Sequence, residues 1–153
     1  MTDKELLTID LCSRLPYIDT MVRWQDEDYQ MISIGFGRVT LVKPLWSITA
    51  GSPLITEVKP YLRPMSSMTK KEKKELLNIV CGKKGSKYFH LSEEGIDSND
   101  AEVQEVRNFE FHWINFSYKN IEKATDWLNK KMFDWRYLIP MGLALEAPKG
   151  MYK

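Results

Sequence analysis

The chain has 153 residues, with 22 Lys plus Arg against 21 Asp plus Glu, 43% hydrophobic and 28% charged residues. This balance excludes an intrinsically disordered chain, a collagen-like repeat, a disulfide scaffold and a bulk polycation. The length suits a single α+β domain, able to bury roughly 68–70% of its unfolded surface.

The opening Met1-Thr2-Asp3-Lys4-Glu5 is polar and acidic, and Leu6-Leu7 is soon interrupted by Thr8 and Asp10. No cationic stretch leads into an apolar core, so no secretory signal is expected. No run approaches the roughly 18 apolar residues of a membrane span, and the expected setting is cytoplasmic. Cys12 and Cys81 are the only cysteines. In a reducing compartment they are expected as free thiols packed like small apolar groups.

Thr2 or Asp3 can cap a first helix over about 4–14, with Leu7, Leu11 and Leu15 on one face. Pro16 is expected to stop it by forcing Leu15 out of the helical region. Alternation through Ile18, Thr20 and Val22, a polar turn at Gln25–Asp28, the run Tyr29–Ile34, breaks at Gly35 and Gly37, and the run Arg38–Val42 predict strands. We expect an antiparallel meander or small curled barrel over about 17–57, with Leu54-Ile55-Thr56 as a closing strand. Lys59-Pro60-Tyr61-Leu62-Arg63-Pro64 follows. Its prolines argue against both a helix and a central strand, so a surface strap is expected.

Thr69 and Glu72 have capping-box spacing and predict a helix over about 70–81, with Leu76, Leu77, Val80 and Cys81 as its apolar stripe and Gly82 ending it. Tyr88–Leu91 reads as a strand. Phe109, Phe111 and Trp113 alternate with Glu110 and His112 and predict another within Arg107–Tyr118. Asn120 is expected to cap a last long helix carrying Ile121, Ala124, Trp127 and Leu128 and ending near Lys131. Asp134 can cap a short turn that Pro140 ends, and Leu143-Ala144-Leu145 can add an edge strand. The expected architecture is therefore an N-terminal helix, a small antiparallel β unit and two main helices with additional strands.

The stretches Lys59–Thr69, Trp127–Arg136 and Gly142–Pro148, with the opening Leu15-Pro16-Tyr17, resemble small proteins of unassigned role in gut Bacteroides-type genomes and their phage-like elements. The likeness covers about half the chain. Those proteins often carry Gly where Tyr137 stands and a charged residue in place of Pro140. The resemblance implies a mobile-element or phage setting and supplies no activity, cofactor or catalytic residue.

Residues 59–88 hold nine cations (Lys59, Arg63, Lys70, Lys71, Lys73, Lys74, Lys83, Lys84 and Lys87) against Glu72 and Glu75, flanked by Tyr61, Tyr88 and Phe89. Such a patch can neutralise phosphates and stack bases. It can equally be the wet face of an amphipathic helix, and residues 92–110 carry seven acids against Arg107. Lysine also predominates over the arginine that phosphate and base forks favour.

No metal site is expected, because His90 and His112 stand in no ligand spacing with each other or with a cysteine. No cofactor is expected either: Gly82–Lys87 lacks the spacing and preceding strand of a phosphate loop. No cysteine has an activating neighbour, and the end of a helix disfavours a thiolate at Cys81. The adjacent Glu93 and Glu94 read as solvated acids. Of the five tryptophans, Trp113 and Trp127 have core spacing, whereas Trp24 and Trp46 are candidates for the surface. Exposed tryptophan beside a proline-rich strap is a typical interface anchor. The leading expectation is thus a non-enzymatic structural or interaction protein, binding a protein partner or itself through Trp46, Pro60, Tyr61 and Pro64. The alternative is an accessory nucleic-acid binder using Lys70, Lys71, Lys73, Lys74, Lys83, Lys84 and Lys87.

Overall fold

The computed structural model describes residues 1–17, 20–44, 48–85, 89–92, 95–98 and 118–152, with backbone alone at 83–85, 89–92, 95–98 and 118–119. The chain divides into two compact units, Met1–Pro64 with Leu128–Lys153, and Met65–Trp127.

In the first unit, helix α1 spans Asp3–Arg14. Thr2 caps it reciprocally: its N–H donates to Glu5 Oε2 at 2.7 Å, and its Oγ1 accepts from Glu5 N–H at 3.3 Å. Leu7 and Leu11 are buried. Leu15 keeps helical angles, φ −55° and ψ −35°, and still bonds Leu11 O. Pro16 therefore ends the helix by lacking an N–H donor, not by displacing Leu15.

Strands β1 (Met21–Trp24), β2 (Glu27–Gly35) and β3 (Arg38–Val42) form the expected antiparallel meander. Both hairpins turn in two residues with positive φ at each: Gln25 and Asp26 at 50° and 62°, Phe36 and Gly37 at 50° and 73°. Those are type I′ turns, whose twist matches the strands they join. The register passes from Met31↔Leu41 to Ser33↔Thr40, so Ile32 is an extra, unpaired residue, a bulge of the kind that bends a strand. Val22, Tyr29, Met31, Val39 and Leu41 share one face and form the core with Leu7 and Leu11.

Strand β4 (Thr49–Gly51) adds to β3. The expected closing strand at 54–56 does not form. Leu54 makes one bridge to Arg38, and Ile55–Glu57 is a 3-10 turn. The Glu57 carboxylate accepts the Leu54 N–H at 2.7 Å and so curls the segment back on itself.

The expected surface strap is instead part of the sheet. Lys59–Leu62 is strand β5, a central member of the six-stranded sheet, with Pro60, Tyr61 and Leu62 buried. Pro60 pairs with Val22. A residue without N–H can occupy only a non-hydrogen-bonded antiparallel pair, which turns its nitrogen toward the opposite neighbour. That neighbour is β8 (Leu145–Glu146), whose parallel ladder begins only at Tyr61↔Leu145, so no ladder donor is missing. The sheet runs β4-β3-β2-β1-β5-β8 and is open and mixed, not curled into a barrel. β8 lies slightly beyond the expected edge strand at 143–145. Past Val22↔Pro60, the Tyr152 hydroxyl bridges β1 and β5, accepting from Met21 N–H at 3.2 Å and donating to Tyr61 O at 2.9 Å.

In the second unit, helix α2 spans Lys70–Gly85 and is broken at Gly82, φ 72° and ψ 162°. The Thr69–Glu72 box is present: Thr69 N–H donates to Glu72 Oε2 at 2.9 Å, and Glu72 N–H to Thr69 Oγ1 at 3.2 Å. Leu76, Leu77 and Val80 are buried. Gly82 has the expected positive φ but an extended ψ, so it kinks the chain instead of forming a left-handed cap. β6 (Phe89–Ser92) and β7 (Gly95–Ser98) form a hairpin, which places part of the acidic stretch in a strand. The strand expected at 107–117 lies outside the described residues.

Helix α3 spans Tyr118–Lys130. It begins before Asn120, which is therefore not its cap; the Asn120 amide donates to Val80 O at 3.3 Å. Ile121 is exposed, so the buried stripe is narrower than its spacing suggests. In the first unit, Asp134 holds the turn after α3 by accepting from Leu138 N–H and Ile139 N–H at 2.7 and 2.8 Å. Tyr137 in that turn takes φ 61°, a region where glycine is unstrained.

Candidate functional site

Of the expected interaction residues, Pro60 and Tyr61 are buried in the sheet and Pro64 is half-buried. Trp46 lies outside the described residues. Trp24 is half-buried rather than surface-mounted. Its ring stands 5.8 Å from that of Tyr29 and so close to Gly51 that a Cβ there would lie 2.8 Å from Trp24 Cζ3. Lys70, Lys71 and Lys74 are exposed on α2, while Lys73 is half-buried on the side of Leu76, Leu77 and Val80. At 100° per residue, Lys70, Lys71 and Lys74 fall within one 100° arc. Lys83 and Lys84 follow the Gly82 kink, and Lys87 lies outside the described residues. Among the described side chains, the structure thus brings together Lys70, Lys71 and Lys74.

Two arrangements escaped the sequence reading. The first is the β2–β3 hairpin tip. Phe36 has 107% relative exposure and sits at positive φ. The tip is backed by the 53–57 segment, with Ile55 N–H donating to Gly37 O and Val39 N–H to Pro53 O, both at 3.0 Å. Leu54, also exposed, bridges Arg38 immediately beside it. Lys4 Nζ lies 3.9 Å from where a Cβ on Gly37 would stand. The signal was present in the sequence: a large apolar residue stands between Gly35 and Gly37, where a tight turn favours Asn or Asp.

The second is a buried ion cluster. Arg14 and Asp10 are fully buried and pair through two prongs, Nε to Oδ2 at 2.8 Å and Nη2 to Oδ1 at 2.9 Å. Arg14 Nη2 also donates to Phe133 O at 2.9 Å. Arg136 Nη1 donates to Asp10 Oδ1 at 2.8 Å and Ser13 Oγ at 3.2 Å. Its guanidinium stacks 3.9 Å from the Trp135 ring, whose Nε1 donates to Asn129 Oδ1 at 2.8 Å. The i, i+4 spacing of Asp10 and Arg14, beside the Leu7–Leu11 stripe, is the only sequence trace of this clamp.

A second set of ionisable groups lies on the meander, at Glu27, Tyr29 and Lys43. Tyr29 donates to Glu27 Oε2 at 2.8 Å, and Lys43 Nζ lies 2.8 Å from the same oxygen. The Lys43 and Tyr29 hydrogen bonds hold the Glu27 carboxyl below its ordinary value, and the Glu27 bond raises both partners. Burial, and then a 2.8 Å bond to Asp28, push the Tyr61 hydroxyl up. Burial pushes the half-buried Cys81 thiol up, so it stays protonated near neutrality. Cys12 is also a free thiol but is exposed, contrary to the expected packing. Among the described residues, no group of three or more His, Cys, Asp or Glu could hold a metal. His90 lies in β6 opposite Asp97, and His112 is outside the described residues.

The architecture is α+β, with no helix among the described residues long and apolar enough to cross a membrane. No family model, curated protein or solved structure matches this chain.

Proposed function

We propose that this protein is a non-enzymatic interaction protein whose binding surface includes the β2–β3 hairpin tip. One observation carries the reading: Phe36 is fully exposed in a backbone conformation that costs a side chain of its size about 1 kcal/mol or more. Local rules broken without folding gain mark functional positions. The likeness of Lys59–Thr69 and Trp127–Arg136 to proteins of phage-like elements supports a mobile-element setting.

The test is native mass spectrometry of the protein purified from cells carrying its gene. The wild type is expected to retain a stoichiometric companion that Phe36→Ser loses. A companion-free wild type, or one retained equally by the variant, sinks the reading. A second reading, nucleic-acid binding, is favoured by the exposed arc of Lys70, Lys71 and Lys74. It predicts oligonucleotide affinity falling steeply between 50 and 200 mM salt.

A further inference from the structure

We propose that residues 148–152 form a latch that opens while the rest of the sheet stays folded, the Tyr152 hydroxyl giving way to a direct hydrogen bond between Met21 and Tyr61. The latch stands or falls independently of the Phe36 tip.

The ladder between β1 and β5 stops one rung short. Arg23↔Lys59 and Val22↔Pro60 are paired, and the next rung would join Met21 to Tyr61. Antiparallel pairs alternate in kind, and Pro60, without an N–H, makes Val22↔Pro60 the non-hydrogen-bonded kind. Met21 with Tyr61 would therefore be a hydrogen-bonded pair. Instead the Tyr152 hydroxyl stands between them, accepting from Met21 N–H at 3.2 Å and donating to Tyr61 O at 2.9 Å. Once it withdraws, the donor and acceptor it separates can meet each other. Tyr61 is buried, so its carbonyl needs a partner in either arrangement, and each arrangement supplies one. Two packings that both satisfy the same backbone groups are what a bistable element requires.

The segment is built to leave as a unit. Its root is tied to the sheet, with Ala147 N–H donating to Leu62 O at 2.8 Å. Beyond the root, Met151 N–H turns back onto Pro148 O at 3.0 Å, a bond inside the latch rather than to a strand. Pro148, Lys149 and Gly150 are exposed, and Met151 and Tyr152 are half-buried. Gly150 takes φ 87°, with nothing within 4 Å of where a Cβ would stand, and so provides a hinge free of steric hindrance. An exposed loop whose far end is only half-buried belongs to the low-stability end of a structure. Opening frees Met151 and Tyr152 and completes the β1–β5 ladder; closing reinserts the hydroxyl.

The test is native-state amide exchange, followed by NMR on the full chain in low urea, with Tyr152→Phe as the variant. Met31 N–H, bonded to Thr20 O at 2.9 Å within the meander, reports the core. Met151 N–H is expected to be at least about 100-fold less protected than Met31 N–H and insensitive to urea, since a local opening exposes little surface. Tyr152→Phe is expected to lower Met151 protection a further tenfold or so, while Met21 stays within about threefold of wild type because Tyr61 O takes over its N–H. A Met151 urea slope equal to that of Met31 overturns the proposal, for the segment then opens only with the core. Met21 losing protection in step with Met151 overturns it too, since no direct rung has formed. So does unchanged Met151 protection in the variant, or a Met151 amide unprotected in the wild type, which would leave no closed state. A variant that fails to fold is equally fatal, because the sheet is expected to hold without the hydroxyl.

Discussion

Asp10 takes hydrogen bonds from two arginines at once, Arg14 of its own helix and Arg136 from 126 residues away, with Asp10 and Arg14 fully buried. One carboxylate thus fastens the C-terminal segment to α1. Asp10→Ala would strand two guanidiniums, one with no access to water, and is expected to destabilise by about 3–5 kcal/mol. Arg136→Met removes only the partly accessible partner and should cost less. Urea midpoints at constant slope give the comparison; equal losses would show that Asp10 acts chiefly through Arg136.

Phe36→Asn would place the residue pair preferred in a type I′ turn ahead of Gly37. It is expected to raise stability by roughly 0.5–1 kcal/mol while abolishing partner binding, the signature of a position kept for function. Tyr137→Gly relieves the same conformational cost at φ 61° and should gain a few tenths of a kcal/mol to about 1, the gain reduced by glycine's freedom when unfolded. A lower melting temperature for Phe36→Asn would remove the strain argument.

Gly51→Ala drives a methyl to 2.8 Å from Trp24 Cζ3 in a half-buried stack. Overpacking of this kind costs about 1–3 kcal/mol. Because the clash is with the indole, the penalty is expected to shrink when Gly51→Ala is made on Trp24→Leu. An unchanged penalty by thermal melts would place the strain in the β4 backbone instead.

The pH dependence has a defined sign at each end. Backbone and side-chain hydrogen bonds with Thr2 hold Glu5 below its ordinary 4.5, as Lys43 and Tyr29 hold Glu27. Both contribute stability present above 4.5 and lost as pH falls through their lower folded values. Tyr29 and Lys43 are raised above 10.0 and 10.5, so their contribution is present below those values and lost as pH rises through the folded ones. Glu27→Gln should flatten both limbs, read as the urea midpoint from pH 3 to 11. Retention of both limbs would assign them to other groups.

The sequence by itself determined the local structure. Thr69–Glu72 placed the start of α2, because a capping box is complete within four residues, and Thr2 or Asp3 placed the start of α1, with the structure deciding for Thr2. Alternation with short breaks placed β1 to β3, because side chains along a strand repeat every two residues, although Glu27 and Asp28, expected in the first turn, open β2. Tertiary structure alone decided the rest. Pro60 reads as a strand breaker until β8 is seen to begin one residue later, a fact held 85 positions away at Leu145. Asp10 and Arg14, four residues apart, become a buried clamp only when Arg136 and Phe133 O arrive from the far end of the chain to satisfy them. Partner choice across such distances depends on which surfaces meet, and no local pattern of residues encodes that.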